Sequence, residues 1–101
     1  MENNLSIVKE DFKELPNNIE AEQAVIGSIL VTNEIFDDIN TIISNVNFYD
    51  PMHQKIFNAI ESMIYKGLLA NPITLKNYFE KEKDEINIPE YLVKITKFST
   101  S

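Results

Sequence analysis

The side chains with chemical potential in this chain are few. Four carboxylates stand close together in sequence in two pairs, Glu20 with Glu22 and Asp37 with Asp38, and the single histidine is His53. Carboxylates converging on one point could hold a hard divalent ion and activate water, which defines one reading, a small metal-assisted hydrolase built on these four acids. Adjacent helical residues such as Asp37 and Asp38 diverge by about 100°, however, and no histidine or Gly-rich loop accompanies them, so a solvated acidic face is the simpler expectation. His53 lacks a motif partner and is expected to pack or hydrogen-bond locally in the first turn of a helix. No cysteine is present, which removes thiolate ligands, thiol nucleophiles and disulfides. The two glycines, Gly27 and Gly67, are not followed by Lys-Ser or Lys-Thr, so there is no Walker-type phosphate loop, and HExxH is missing as well. The residues predict no catalytic, cofactor-binding or metal-binding set, and by elimination an interaction module.

Charge narrows the partners. Residues 1–50 hold ten acids and two lysines, a balance of −8, while residues 51–101 hold seven lysines and six acids, a balance of +1. A duplex-binding surface neutralises phosphates with clustered Lys and Arg, and this chain has no arginine. Direct DNA contact is therefore not expected, and complementary fields favour a basic partner. The aromatic residues fall mostly at core spacing, which disfavours a stacking platform for single strands. No run of about 18 apolar residues exists and the first residues carry acids, so no membrane span and no export signal is expected, and a cytoplasmic setting follows.

At 101 residues the chain has room for one core. Residues 1–15 mix Ile7, Val8, Phe12 and Leu15 with polar residues without a sustained period and read as a terminal arm, either frayed or docking on a neighbour. From Pro16 the word PNNIEAEQAVIGSIL predicts a helix. Asn17 and Glu20 have capping-box spacing, Glu20 and Glu22 fall in or near the first turn, and Val25, Ile26, Ile29 and Leu30 share one face. Gly27 inside that helix costs about 1 kcal/mol against Ala unless another backbone approaches closely, so a second helix is expected to cross there. After a turn at Val31–Asn33, the spacing of Ile35, Phe36, Ile39, Ile42, Ile43 and Val46 predicts a second amphipathic helix.

Asp50-Pro51 is a cap followed by a first-turn proline, and it opens a third helix burying Met52, Ile56, Phe57, Ile60, Met63 and Ile64, with Gly67 as a left-handed stop. Asn71-Pro72 repeats that signal before Ile73, Leu75, Tyr78 and Phe79, with Lys76 and Glu80 on the outer side. The charged run Glu80–Glu85 reads as a helix end and loop. Ile88-Pro89 opens a last helix with Tyr91, Leu92, Ile95 and Phe98 inward and Glu90 and Lys94 outward. An all-α, compact bundle of about five short helices is expected, without strands.

Three ordered words, PNNIEAEQAVIGSIL, NFYDPMHQKIF at Asn47–Phe57 and ITLKNYF at Ile73–Phe79, resemble the amino-terminal domain of the DnaB-type replicative DNA helicases, over about Pro16 to Phe98. The resemblance implies a helical helicase collar domain over residues 16–101 after the arm at 1–15. Its fold-defining positions would be Pro16, Glu20, Ala21, Glu22, Gln23, Gly27, Phe48, Tyr49, His53 and Phe57, none of them catalytic. In that family the domain is linked to a RecA-like motor, the motors form a hexameric ring, and the collar contacts primase. The implied role is non-catalytic: ring assembly with other helicase subunits, and docking of primase and a helicase loader during DNA replication. ATP and Mg would be needed only by the motor, so the parent would be an ATP-dependent DNA helicase.

Two departures accompany the resemblance. Family members continue past the position of Ser101 with a further helical hairpin that helps pair the domains, so the 101 residues alone are expected to pair weakly or not at all. Asn71-Pro72 stands where the family has Asp and an apolar residue, a change that keeps the cap. A primase-type helicase-binding domain, similar in fold, is the alternative within the same interaction class.

Overall fold

The computed structural model describes residues 18–81 and 88–100 of the chain. Among them lie five α-helices: α1 Ile19–Val31, α2 Phe36–Asn40, α3 Pro51–Tyr65, α4 Pro72–Lys81 and α5 Ile88–Thr100, with short 3₁₀ turns at Asn33–Ile35 and Asn45–Asn47 and no strand. The bundle is all-α, as its helical periodicity predicts. The arm at 1–15, Pro16, Asn17, most of the charged run Glu80–Glu85 and the Phe98 side chain lie outside the described residues.

Helix α1 is the centre. Val25, Ile26, Ile29 and Leu30 are buried, as their spacing predicts, and Ala21 joins them. Its cap is Asn18 rather than Asn17, and the Asn18 side chain accepts the Ala21 N–H at 3.0 Å. Two consecutive asparagines offer equivalent caps, so residue type does not decide between them.

Helix α5 lies along α1 in the same general direction, because Gln23 meets Tyr91 and Gly27 meets Ile95 and Ser99. A Cβ on Gly27 would fall on Ser99 Oγ and stand 3.0 Å from Ile95 O. The crossing expected at Gly27 is therefore real, and any side chain there would require Ser99 to turn away and the Ile95 carbonyl to give way. Leu92, Ile95 and Ile88 close the core from α5, and Leu75 and Phe79 do so from α4.

Helix α3 begins as its cap signal predicts, with Asp50 Oδ1 accepting the Met52 N–H at 2.8 Å and Pro51 at the first position. His53, Ile56, Phe57, Ala59, Ile60 and Met63 are buried along it, and Gly67 has φ +77°, the left-handed stop. Phe57 packs on Phe48 and Phe36 with ring centroids 5.1 and 5.5 Å apart. Each such fully buried aromatic or branched side chain contributes about 1.5–3 kcal/mol.

Two readings are corrected. The long second helix predicted from Ile35 to Val46 is a 3₁₀ turn, the five-residue α2 and a second 3₁₀ turn. Thr41 Oγ1 donates to Asp38 O at 2.7 Å, and the Ile42 and Ile43 N–H groups both turn onto Ile39 O. Ser44 is then extended, and its N–H donates to Asn47 Oδ1 at 2.8 Å. Short polar side chains compete here with the helical ladder and win, so Ile39 and Ile43 are buried while Ile42 and Val46 are exposed. The second correction concerns Ile73, which sits in the first turn of α4 on the solvent side at 72% exposure instead of joining Leu75 and Phe79.

Candidate functional site

The buried polar groups meet at one point, where α1, α3 and α5 come together. Glu22 lies in the first turn of α1 at 1% exposure, and His53 in the first turn of α3 at 0%. The helix starts bring them there. Asn18 sets α1 so that Glu22 shares a face with Val25, Ile26 and Ile29, and Asp50-Pro51 sets α3 so that His53 shares one with Ile56, Phe57 and Ile60.

The Glu22 carboxyl group accepts three hydrogen bonds: Tyr49 N–H at 2.6 Å, Asp50 N–H at 3.3 Å and His53 Nδ1–H at 2.7 Å. His53 Nε2 lies 2.5 Å from the Tyr91 hydroxyl, and the Tyr91 oxygen accepts from Gln23 Nε2 at 2.9 Å. One proton arrangement satisfies every member. Nδ1–H donates to Glu22, the Tyr91 O–H donates to Nε2, and the Gln23 amide donates to the Tyr91 oxygen, the tautomer being assigned from consistency of the network. Among the described residues no buried side-chain nitrogen or oxygen lacks a partner.

The ring environment is apolar and tight. His53 is stacked on Tyr91 with centroids 5.7 Å apart and meets the edge of Phe48 at 6.3 Å. Burial raises the Tyr91 hydroxyl above its ordinary pKa of 10.0; the Gln23 hydrogen bond partly opposes this, and Asp50 and Glu22 add to it by repulsion.

Carboxyl, imidazole and hydroxyl in sequence is the order of an acid–base relay, so its chemical capacity needs testing. A nucleophilic hydroxyl requires activation toward its anion, whereas burial here disfavours the Tyr91 phenolate. The base is fully enclosed, with no face left for a substrate proton. What the geometry does perform is attachment: one carboxyl group ties the Tyr49–Asp50 backbone and α3 to α1, and one imidazole passes that tie to α5. The reading of His53 as a locally bonded side chain is therefore corrected, since its partners are 31 and 38 residues away.

The acids of the metal reading do not converge. Glu22 is occupied as described, Glu20, Asp37 and Asp38 are exposed, and among the described residues no group of three potential ligands could hold a metal ion. Of the fold-defining set, the structure brings Glu22, Gln23, His53 and the Tyr49 backbone into one network, puts Phe48 and Phe57 in ring contact beside it, buries Ala21 and places Gly27 at the α1–α5 crossing. Glu20 is outside that cluster and exposed.

Sequence reasoning overlooked Asn33, read only as a turn residue. Its Nδ2 donates to Ile29 O at 2.8 Å and Ala70 O at 2.9 Å, while its Oδ1 accepts the Ala70 N–H at 2.8 Å. This pairing fastens the α3–α4 connection to the end of α1. No spacing signal announces the Ala70 pairing, because those backbone groups lie 37 residues on.

The family model described as DnaB-like helicase N terminal domain matches residues 14–101. Among curated relatives, the protein named replicative DNA helicase DnaB of Rickettsia typhi is 42% identical over 87 residues, covering 84% of this chain and 18% of its own length. The protein of that name from Rickettsia felis is 41% identical over the same coverage, and the one from Buchnera aphidicola subsp. Baizongia pistaciae is 37% identical over 79 residues, 78% of this chain and 17% of its own length. The chain thus spans 18% of the length of the first of these. No solved structure matches it. No helix among the described residues is long and apolar enough to cross a membrane.

Proposed function

The chain belongs to the DnaB-like helicase N-terminal domain family, and from that premise we propose that it is the non-catalytic collar domain of an ATP-dependent replicative DNA helicase. In this role it supports assembly of the helicase ring with other subunits and docks primase and a helicase loader. ATP hydrolysis, with its Mg, and strand separation fall to a RecA-like motor outside these 101 residues. The domain works in the cytoplasm through protein surfaces, without direct DNA contact.

The observation that carries this reading is the family match over residues 14–101. Two physical features support it. The groups with chemical potential, Glu22, His53 and Tyr91, are spent on joining helices, which leaves recognition to the outer surface. Residues 18–54 hold six acids and no lysine or arginine, a field that repels phosphates and attracts basic protein partners.

Retention of the carboxy-terminal domain of the cognate primase by the intact helicase oligomer carrying this domain is the test. The intact oligomer is needed because a contact shared by neighbouring domains gains from effective concentration. Retention that is lost when the domain is deleted is the expected result. An oligomer that assembles and retains primase equally well without the domain would overturn the proposal.

A further inference from the structure

Three large aliphatic side chains stand in solvent at one place: Leu68, Leu69 and Ile73, at 53%, 62% and 72% exposure. The backbone that carries them is held firmly. Asn33 pairs with both backbone groups of Ala70, Thr74 Oγ1 donates to Leu69 O at 2.8 Å, and the Asn71 N–H donates to Thr74 Oγ1 at 3.0 Å. Asn71 Oδ1 in turn accepts the Ile73 and Thr74 N–H groups, each at 2.9 Å. With the backbone of residues 69–74 held in this way, Leu68, Leu69 and Ile73 are presented outward, and an apolar patch on an ordered backbone binds a partner with little ordering cost.

Charge selects what fits. From Ser62 to Phe79 the only charged residues are Lys66 and Lys76, both exposed, so the patch is flanked by cations. Its complement is a segment in which large apolar residues alternate with carboxylates. Residues 1–17 have that composition: Leu5, Ile7, Val8, Phe12 and Leu15, with four acids against Lys9 and Lys13.

Reach permits the contact within one chain. Helix α1 has 13 residues and is about 20 Å long at 1.5 Å per residue. Asn33, just past its end, holds Ala70, so the patch lies about one α1 length from Asn18. An extended chain covers about 3.3 Å per residue, so Phe12 reaches about 20 Å from Asn18 and Val8 about 33 Å.

We infer that the leading segment docks on the Leu68–Leu69–Ile73 patch of its own chain, with its apolar side chains on the aliphatics and its carboxylates toward Lys66 and Lys76. This rests on the patch and on composition and stands independently of the collar role.

Because the chain has no cysteine, Ser6→Cys provides a single attachment point for a nitroxide on the 101-residue chain. The methyl NMR signals of Leu68, Leu69 and Ile73 are the readout. They should lose most of their intensity when the nitroxide is oxidised, to the same extent at every protein concentration and after mixing with excess unlabelled chain. Phe12→Asp should restore the signals, and so should Lys66→Glu combined with Lys76→Glu, two exposed changes that leave the core untouched. Undiminished methyl signals in the parent chain would overturn the inference. So would broadening that arises only when nitroxide and isotope are on different chains, which would assign the patch to a second copy, or broadening indifferent to both sets of substitutions.

Discussion

Replacing Glu22 by Ala tests the central tie of the fold. The change removes the acceptor of the Tyr49 and Asp50 N–H groups and of His53 Nδ1–H, in a place where Glu22 and His53 are 1% and 0% exposed. Breaking a buried pair by removing one member costs about 3–5 kcal/mol, chiefly through the donors left behind. A domain of this size has about 5–15 kcal/mol in total, so a large part of the stability is at stake. At about 4–8 °C per kcal/mol the thermal midpoint should fall by at least about 12 °C. Glu22→Gln is the graded control: it keeps a carbonyl for Tyr49, and the imidazole can exchange tautomers to accept from the new amide, so a smaller loss of about 1–3 kcal/mol is expected. In thermal melts followed by circular dichroism, the double variant with His53→Ala should lose less than the sum of the single losses, because both remove the same interaction. A Glu22→Ala midpoint within about 2 °C of the parent would refute the reasoning, since even about 0.5 kcal/mol moves it that far.

Three further outcomes are expected. The Tyr91 hydroxyl has a raised pKa in the fold, so the stability it contributes is complete below its unfolded value near 10.0 and is lost as pH rises through the folded value; the difference in urea-unfolding stability between the parent and Tyr91→Phe should therefore shrink above pH 10. Gly27→Leu should cost about 1–3 kcal/mol through collision with Ser99 and Ile95 O, exceeding the gain in helix propensity, and an unchanged thermal midpoint would remove the close crossing. Asn33→Ala should destabilise by about 1–3 kcal/mol, because it frees Ala70 N–H and O together, and should raise hydrogen exchange at Ala70 before that of the α1 interior.

The starts of α1, α3 and α4 were legible because each is written in a cap. Asp50-Pro51 and Asn71-Pro72 mark α3 and α4, and Gly27 announced a close neighbour without naming it. The polar tie was half legible. Glu22 stands three, four and seven residues before Val25, Ile26 and Ile29, and His53 stands at the same offsets before Ile56, Phe57 and Ile60. An acid and a histidine at the head of two buried stripes must find partners in the core, since an unpaired buried charge is costly. That they find each other, with Tyr91 beyond, depends on how the helices pack and is not written in either segment. The broken second helix was hidden for the opposite reason: its apolar spacing is helical, but Thr41, Ser44 and Asn47 bond their own backbone, a local competition that periodicity does not register.

The tie also changes what local opening can mean in this domain. Tyr49 lies outside any helix with a side chain 63% exposed, which by itself suggests a backbone amide that exchanges freely. Its N–H nevertheless donates at 2.6 Å to a carboxyl group fixed by a fully buried imidazole, and that imidazole is in turn held by α5. Freeing the amide therefore means either unpairing Glu22 in the core or parting α1 from α3, and both approach global unfolding in cost. Native-state hydrogen exchange should place the Tyr49 amide with those of the α1 interior, well apart from the amide of exposed Val46. Exchange of Tyr49 at the rate of Val46 would show that the carboxyl contact opens on its own, and the joint between the three helices would then be looser than its geometry requires.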